Sequence, residues 1–185
     1  MLMPNAAALT QIPAQEGLTA LVAMSPENFI YVSGANIETT HYLRPRQAFA
    51  VIPAAAEPFL LVCTMEQSQT VEESWVRDVR GYTEFVHDPV GRLAEELQAA
   101  GLANGRVGLD MDFIPAADFQ RLSALLPNVD FINTTEVVAR VRAIKTADEV
   151  SRLEYAARQT HRAVLDALEE STLGDTERDI ANRIG

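Results

Sequence analysis

The residues best equipped for chemistry cluster in one stretch, Glu38-Thr-Thr-His41-Tyr42-Leu-Arg44-Pro45-Arg46, which gathers a histidine, a tyrosine and two arginines within an acidic chain. Guanidinium groups bind carboxylates through paired hydrogen bonds, so these arginines suit a substrate with a carboxylate end. The plainer alternative is a solvated basic loop that offsets local acidity. A second candidate is Asp110-Met-Asp112, two carboxylates on one side of a strand end that could hold a hard cation or move a proton. They lack partners nearby in sequence, because His41, His87 and His161 fall in other segments. The pair therefore reads as solvated residues where a strand leaves the sheet. His161, within a long helical stretch, reads as a packing or surface residue.

Other chemistries are excluded by composition. The single cysteine, Cys63, ends the apolar run Phe59-Leu-Leu-Val-Cys63. It can form no intrachain disulfide and no cysteine metal cage, and it reads as a buried strand residue. Gly101 and Gly105-Arg-Val-Gly108 make no phosphate loop, since no Lys-Ser/Thr follows a glycine-rich strand-to-helix turn. A formal charge of -11 offers no basic stripe to release counterions from a phosphate backbone, so nucleic acid is not expected as a partner. No run approaches the roughly 18 to 20 apolar residues of a membrane span. The alanine-rich start lacks the basic flank of a signal peptide, and a cytoplasmic location is expected.

The elements that must position the candidates follow from periodicity. With 185 residues, 48% of them hydrophobic, the chain can bury one sizeable core. Short apolar runs, Leu18–Met24, Gln47–Ile52, Pro58–Cys63, Trp75–Tyr82, Arg106–Asp110 and Val129–Ile132, alternate with helical stretches, the pattern of an α/β fold with about six strands. The second and third runs, separated by Pro53-Ala-Ala-Ala-Glu57, suit an antiparallel hairpin. Ser25-Pro26 reads as the end of the first strand. Val90, Leu93, Ala94 and Leu97 mark one helix with Gly101 beyond its end, and Pro115 opens another carrying Phe119, Leu122, Leu125 and Leu126.

From Thr134 the pattern becomes almost wholly helical. One helix is expected up to about Ala143, and a second begins at the capping box Thr146-Ala-Asp-Glu149. Its apolar face, Val150, Leu153, Ala157, Thr160, Val164 and Leu168, needs a covering partner. Gly174 closes it and Asp175-Thr176 starts a short last helix carrying Ile180 and Ile184. So short an amphipathic helix is marginal alone, and the natural protein is expected to continue beyond Gly185.

Two motifs carry a family likeness. Asn28-Phe-Ile-Tyr31-Val-Ser33-Gly34 resembles an "N-I-x-Y-L-T/S-G" segment, and Arg142-Ala-Ile-Lys145-Thr-Ala-Asp-Glu149-Val resembles an "R-x-I-K-S-x-x-E-I" junction. Leu173-Gly174-Asp-Thr176-Glu177-Arg-Asp-Ile180-Ala181 resembles the "G-x-T-E-x-E-I-A" that follows. Together they identify the creatinase, prolidase and Xaa-Pro aminopeptidase family. The resemblance implies an N-terminal α/β domain over residues 1–133, a mixed sheet flanked by helices of the ribonuclease H-like kind. It further implies a helical linker at 134–145 and, at 146–185, the start of a truncated pita-bread catalytic domain.

The functional implications are those of the family. Its metallopeptidases bind two divalent metals, manganese, cobalt or zinc, through two Asp, one His and two Glu, all expected beyond Gly185; no cofactor is expected in this fragment, which should be inactive. The parent would be a homodimeric Xaa-Pro dipeptidase or aminopeptidase acting on a proline-containing peptide. The alternatives are a creatinase-like C–N hydrolase with a small carboxylate substrate, or an inactive protein-binding module on the same scaffold. In creatinase-like members an arginine after the first motif binds the substrate carboxylate across a dimer. Counting back from Phe49-Ala-Val-Ile52, Arg46 is the matching position, with His41 and Tyr42 as neighbours. The loop departs from the aromatic-rich pattern of creatinase itself.

Overall fold

The apolar runs pair into one mixed sheet of six strands: β1 (Ala20–Ala23), β2 (Phe49–Pro53), β3 (Phe59–Cys63), β4 (Asp78–Tyr82), β5 (Gly105–Leu109) and β6 (Val129–Asn133). The computed structural model describes residues 5–43 and 46–184. The strand order is β4-β3-β2-β1-β5-β6. β2 is antiparallel to both neighbours, with Val51 opposite Val22 and Phe59, whereas β1 with β5, β3 with β4 and β5 with β6 are parallel. The expected hairpin is thus β2–β3, and Cys63 is buried at its end.

β1, β2 and β3 are buried at every position, which requires helices on both faces. Alternation divides their side chains between two cores. Val22, Val51, Phe59 and Leu61 point towards α4 (Pro89–Ala99) and α5 (Ala116–Leu125), which contribute Val90, Leu93, Leu97 and Leu122. Leu21, Ile52, Leu60 and Val62 point towards α1 (Ala6–Gln15), α2 (Pro26–Ser33) and α6 (Thr135–Ala143), which contribute Ile12, Phe29 and Val138. A short helix, α3 (Gln67–Glu73), precedes β4. Val138 is fully buried in the second core, so the helix expected as a linker is packed into the first unit.

Beyond the strand end expected at Ser25-Pro26, residues 26–33 form a helix that the sequence pattern had not marked. Ser25 caps α2 by accepting from the Asn28 N–H, Pro26 occupies the first turn where its missing N–H is harmless, and Gly34 closes the helix at φ +77. The sharp entry into this helix fixes where Asn28 points.

The chain divides into two compact units, one ending at Ala143 and the other beginning at Ile144. In the second, α7 (Ala147–Glu169) starts from the complete capping box of Thr146 and Glu149 and packs against α8 (Glu177–Ile184). Ala167 is buried and Val164 half-buried, while Val150, Leu153 and Leu168 of the apolar stripe are exposed, as is His161. Arg183 on α8 bonds Asp175 at 2.7 Å, and Asp175 also accepts the Thr172 N–H. No helix among the described residues is long and apolar enough to cross a membrane.

Candidate functional site

Strand direction assembles the site. Since only β2 runs against the others, the carboxyl ends of β1, β3, β4, β5 and β6 share one edge with the amino end of β2. Along this edge the chain leaves β1 towards β2 and leaves the adjacent β5 towards β6 on the other side. Such a reversal opens a crevice at the strand ends, the usual ligand position in open α/β sheets.

Arg46 lies on this edge as the centre of a clamp. Its Nε and Nη2 donate to the two oxygens of Glu84 at 2.7 Å each, and Nη1 donates to Glu66 Oε1 at 3.0 Å. Nη2 also approaches Met65 Sδ at 3.4 Å. Thr39 adds a hydroxyl donor to Glu66 at 2.8 Å. One guanidinium thus ties the segment before β2 to the loops after β3 and β4, with only 13% of its side chain exposed. The paired bonds hold the Glu84 carboxyl below the usual carboxylate range and push Arg46 further up. Beside it, the buried Tyr82 hydroxyl donates to the Gln47 carbonyl at 2.8 Å and accepts the Gln47 N–H at 3.0 Å. Burial raises the Tyr82 pKa, which keeps the phenol protonated and able to donate.

Of the expected neighbours, Tyr42 is exposed and donates to Glu38 at 2.8 Å; that bond raises its pKa. His41 ends a one-turn 3-10 helix, Glu38–His41, its ring 6.2 Å from that of Tyr42. Arg44 and Pro45, singled out with them, lie outside the described residues. His41 and Arg46 do line a common cavity of about 370 Å³, which Tyr42 does not line. Gln47 shares their wall, Asp112 and Phe113 after β5 form another, and Met24 at the end of β1 lies between. The arginine therefore enters the cavity already paired with two carboxylates.

Asp110 departs most from the sequence expectation. It is fully buried rather than solvated. Oδ2 accepts the Met24 and Ser25 N–H groups at 2.9 and 3.0 Å, and Oδ1 accepts the Asn28 side-chain amide at 3.0 Å. The Asn28 carbonyl oxygen in turn accepts Arg142 Nη1 at 2.8 Å. Burial pushes the Asp110 carboxyl up, opposed by these hydrogen bonds. Asn28 and Arg142, the leading residues of the two family motifs, are thus partners in space. Asp112 is exposed, as expected, and accepts the Thr135 hydroxyl at 2.7 Å. Asp110 and Asp112 have separate partners; no group of three or more His, Cys, Asp or Glu among the described residues could hold a metal ion.

Comparison with known proteins agrees with this architecture. The family model described as "Creatinase/Prolidase N-terminal domain" matches residues 6–144. An Xaa-Pro dipeptidase of Lactobacillus delbrueckii subsp. lactis is 25% identical over 171 residues, covering 92% of this chain and 45% of that protein. One from Lactobacillus helveticus is 26% identical over 130 residues, covering 70% of this chain and 35% of the relative. The crystal structure of an X-Pro aminopeptidase from Thermotoga maritima superimposes with a TM-score of 0.82 at 20% identity, over 98% of this chain and 48% of that one. The chain spans less than half the length of these three proteins.

Proposed function

Because the chain belongs to the creatinase/prolidase N-terminal domain family, we propose that it is the non-catalytic portion of an Xaa-Pro dipeptidase-type hydrolase. The observation that carries this reading is the family match over residues 6–144 in a chain spanning under half of the dipeptidases it resembles. In this reading residues 1–133 together with the packed helix α6 form the accessory domain, the remainder of 134–145 links it onward and 146–185 open the catalytic domain. Two divalent metals, manganese, cobalt or zinc, belong to the remainder of that domain. The parent acts in the cytoplasm on proline-containing dipeptides.

We further propose that the strand-end edge packs in a homodimer and walls the substrate cleft. Support comes from the loops clamped by Arg46 and their surroundings, which expose Tyr42, Met65, Phe85 and Val86 at 68%, 69%, 92% and 73%. An apolar group of this kind favours association. Arg46, His41 and Tyr42 then face the substrate of the partner subunit. Four of the five guanidinium hydrogens are used. The other Nη1 hydrogen, without a partner among the described residues, can meet a carboxylate.

The test uses the 185-residue chain and the full-length gene product, each given Xaa-Pro dipeptides with manganese or cobalt. Cleavage by the long form alone is expected. Turnover by the short chain that survives rigorous removal of host peptidases overturns the reading, and a long form without the two Asp, His and two Glu points to the creatinase-like alternative. For the site, Arg46→Ala in the full-length enzyme should weaken binding of a free-carboxylate substrate by about ten- to a hundredfold, the loss expected for a charged hydrogen bond, and spare its amide. Equal effects on both substrates would remove Arg46 from recognition.

A further inference from the structure

Polar contacts at the two ends of α6 converge on one turn. Its middle is held by burial of Val138, and Arg140 reaches Glu16, just after α1, at 3.3 Å. Its first residue, Thr135, donates to Asp112 at 2.7 Å, with Asn133 as a second acceptor at 2.9 Å. Near its other end, Arg142 donates to Asn28 at 2.8 Å, and Asn28 is itself held by Asp110 at 3.0 Å. Both ends of α6 therefore rest, directly or through one side chain, on carboxylates two positions apart after β5. The same Asp110 carboxylate fixes the Met24 and Ser25 N–H groups, and Met24 and Asp112 line the cavity.

We propose that the Asp110–Asp112 turn is a positioning device shared by the cavity and α6, with Asp110, Asn28 and Arg142 acting as a relay. The physical reason is that a fully buried carboxylate is a stiff support. Its two oxygens accept three donors fixed by β1 and by the capped start of α2, so it has little freedom to follow a moving partner. Arg142 exploits that stiffness through Asn28, whose two amide ends transmit the contact without placing the guanidinium and the carboxylate together. α6 is the last element of the first unit. The relay thus links the edge that carries the cavity to the helix from which the chain leaves that unit. All of these contacts lie within the first unit, whichever reaction the parent performs.

The experiment is amide exchange read residue by residue by NMR on the 185-residue chain, comparing wild type with Arg142→Met and Thr135→Val. Methionine keeps the apolar stem of Arg142 and removes the donors. Exchange in residues 139–143 should accelerate about tenfold, as loss of one charge-assisted hydrogen bond allows. Coupling is reciprocal, so the Met24 and Ser25 amides, which Arg142 does not touch, should also accelerate. Thr135→Val should loosen the first turn of α6 and leave residues 139–143 as in wild type. The proposal is overturned if Arg142→Met leaves Met24 and Ser25 unchanged, if it leaves 139–143 unchanged, or if Thr135→Val loosens both ends alike.

Discussion

Replacing Asp110 with alanine should be among the most damaging single changes to the first unit, and its size follows from the bonds it removes. Three donors, the N–H groups of Met24 and Ser25 and the Asn28 amide, lose an acceptor in a site closed to solvent. A hydrogen bond to a charged group contributes about 1.5–3 kcal/mol, and each orphaned buried donor costs about 1–3 kcal/mol. Against this stands relief from burying a carboxylate, itself several kcal/mol, so the net loss should be about 3–5 kcal/mol. That is a large share of the roughly 5–15 kcal/mol typical of a folded domain. At about 2–4 °C per kcal/mol for a chain of this size, the midpoint should fall by about 6–20 °C. Circular dichroism with heating and with urea reads both quantities. A loss below about 1 kcal/mol would refute the reasoning, because the three donors would then have found other partners at no cost. Asp110→Asn adds a pH test. Burial raises the Asp110 pKa above its ordinary value, so the folded state holds the proton more tightly than the unfolded chain does. The stability from this group is fully present below the ordinary carboxylate pKa of about 4 and is lost as pH rises through the raised value. The stability gap between wild type and Asp110→Asn should therefore shrink over that rise. A widening gap would reverse the sign and sink the account.

Tyr82→Phe removes the hydroxyl that both donates to and accepts from Gln47; urea unfolding should show a loss of about 1–2 kcal/mol, with faster exchange at the Gln47 amide. Gly108→Ala should cost about 1–3 kcal/mol through overpacking, because a Cβ there would stand 2.5 Å from Thr134 Cγ2 and 3.0 Å from Leu18 Cδ1. A paired Thr134→Ala change should recover part of that loss in the same urea measurement. In the second unit, Arg183 and the Thr172 N–H depress the Asp175 carboxyl to about 2. Its stabilising effect is present above the ordinary carboxylate pKa and is lost as pH falls from about 4 towards 2. Amide exchange in α8 should accelerate over that interval and should not do so in Asp175→Asn, where the titrating group is absent.

What was legible in the sequence is what periodicity records. Strands buried on both faces read as unbroken apolar runs, so β2 and β3 announced themselves and their five-residue spacing announced the hairpin. α4 was legible because one face alone is apolar. The short helix α2 was not, although Ser25-Pro26-Glu27 is a capped start and Gly34 a left-handed stop; in eight residues whose inward side is Phe29 and Val32 there is little periodic signal, and Ser25-Pro26 reads as a strand end alone. α1 interrupts its own pattern with Pro13, and α3 has Thr70 alone buried. The site was legible by residue type and illegible by environment. Two arginines near a histidine suggest a carboxylate receptor, but the acids that occupy Arg46 come from loops 20 and 38 residues away, and only the strand directions bring them to one edge. The same holds for Asp110. Asp110 and Asp112 look alike in sequence, yet the end of β1 and the capped entry into α2 enclose the first, while the second, two residues further along the turn after β5, reaches solvent. Buried polar residues are fixed by partners distant in sequence, so Asn28 and Arg142 could be matched to a family but not to each other until the fold brought Arg142 Nη1 to the Asn28 side-chain oxygen.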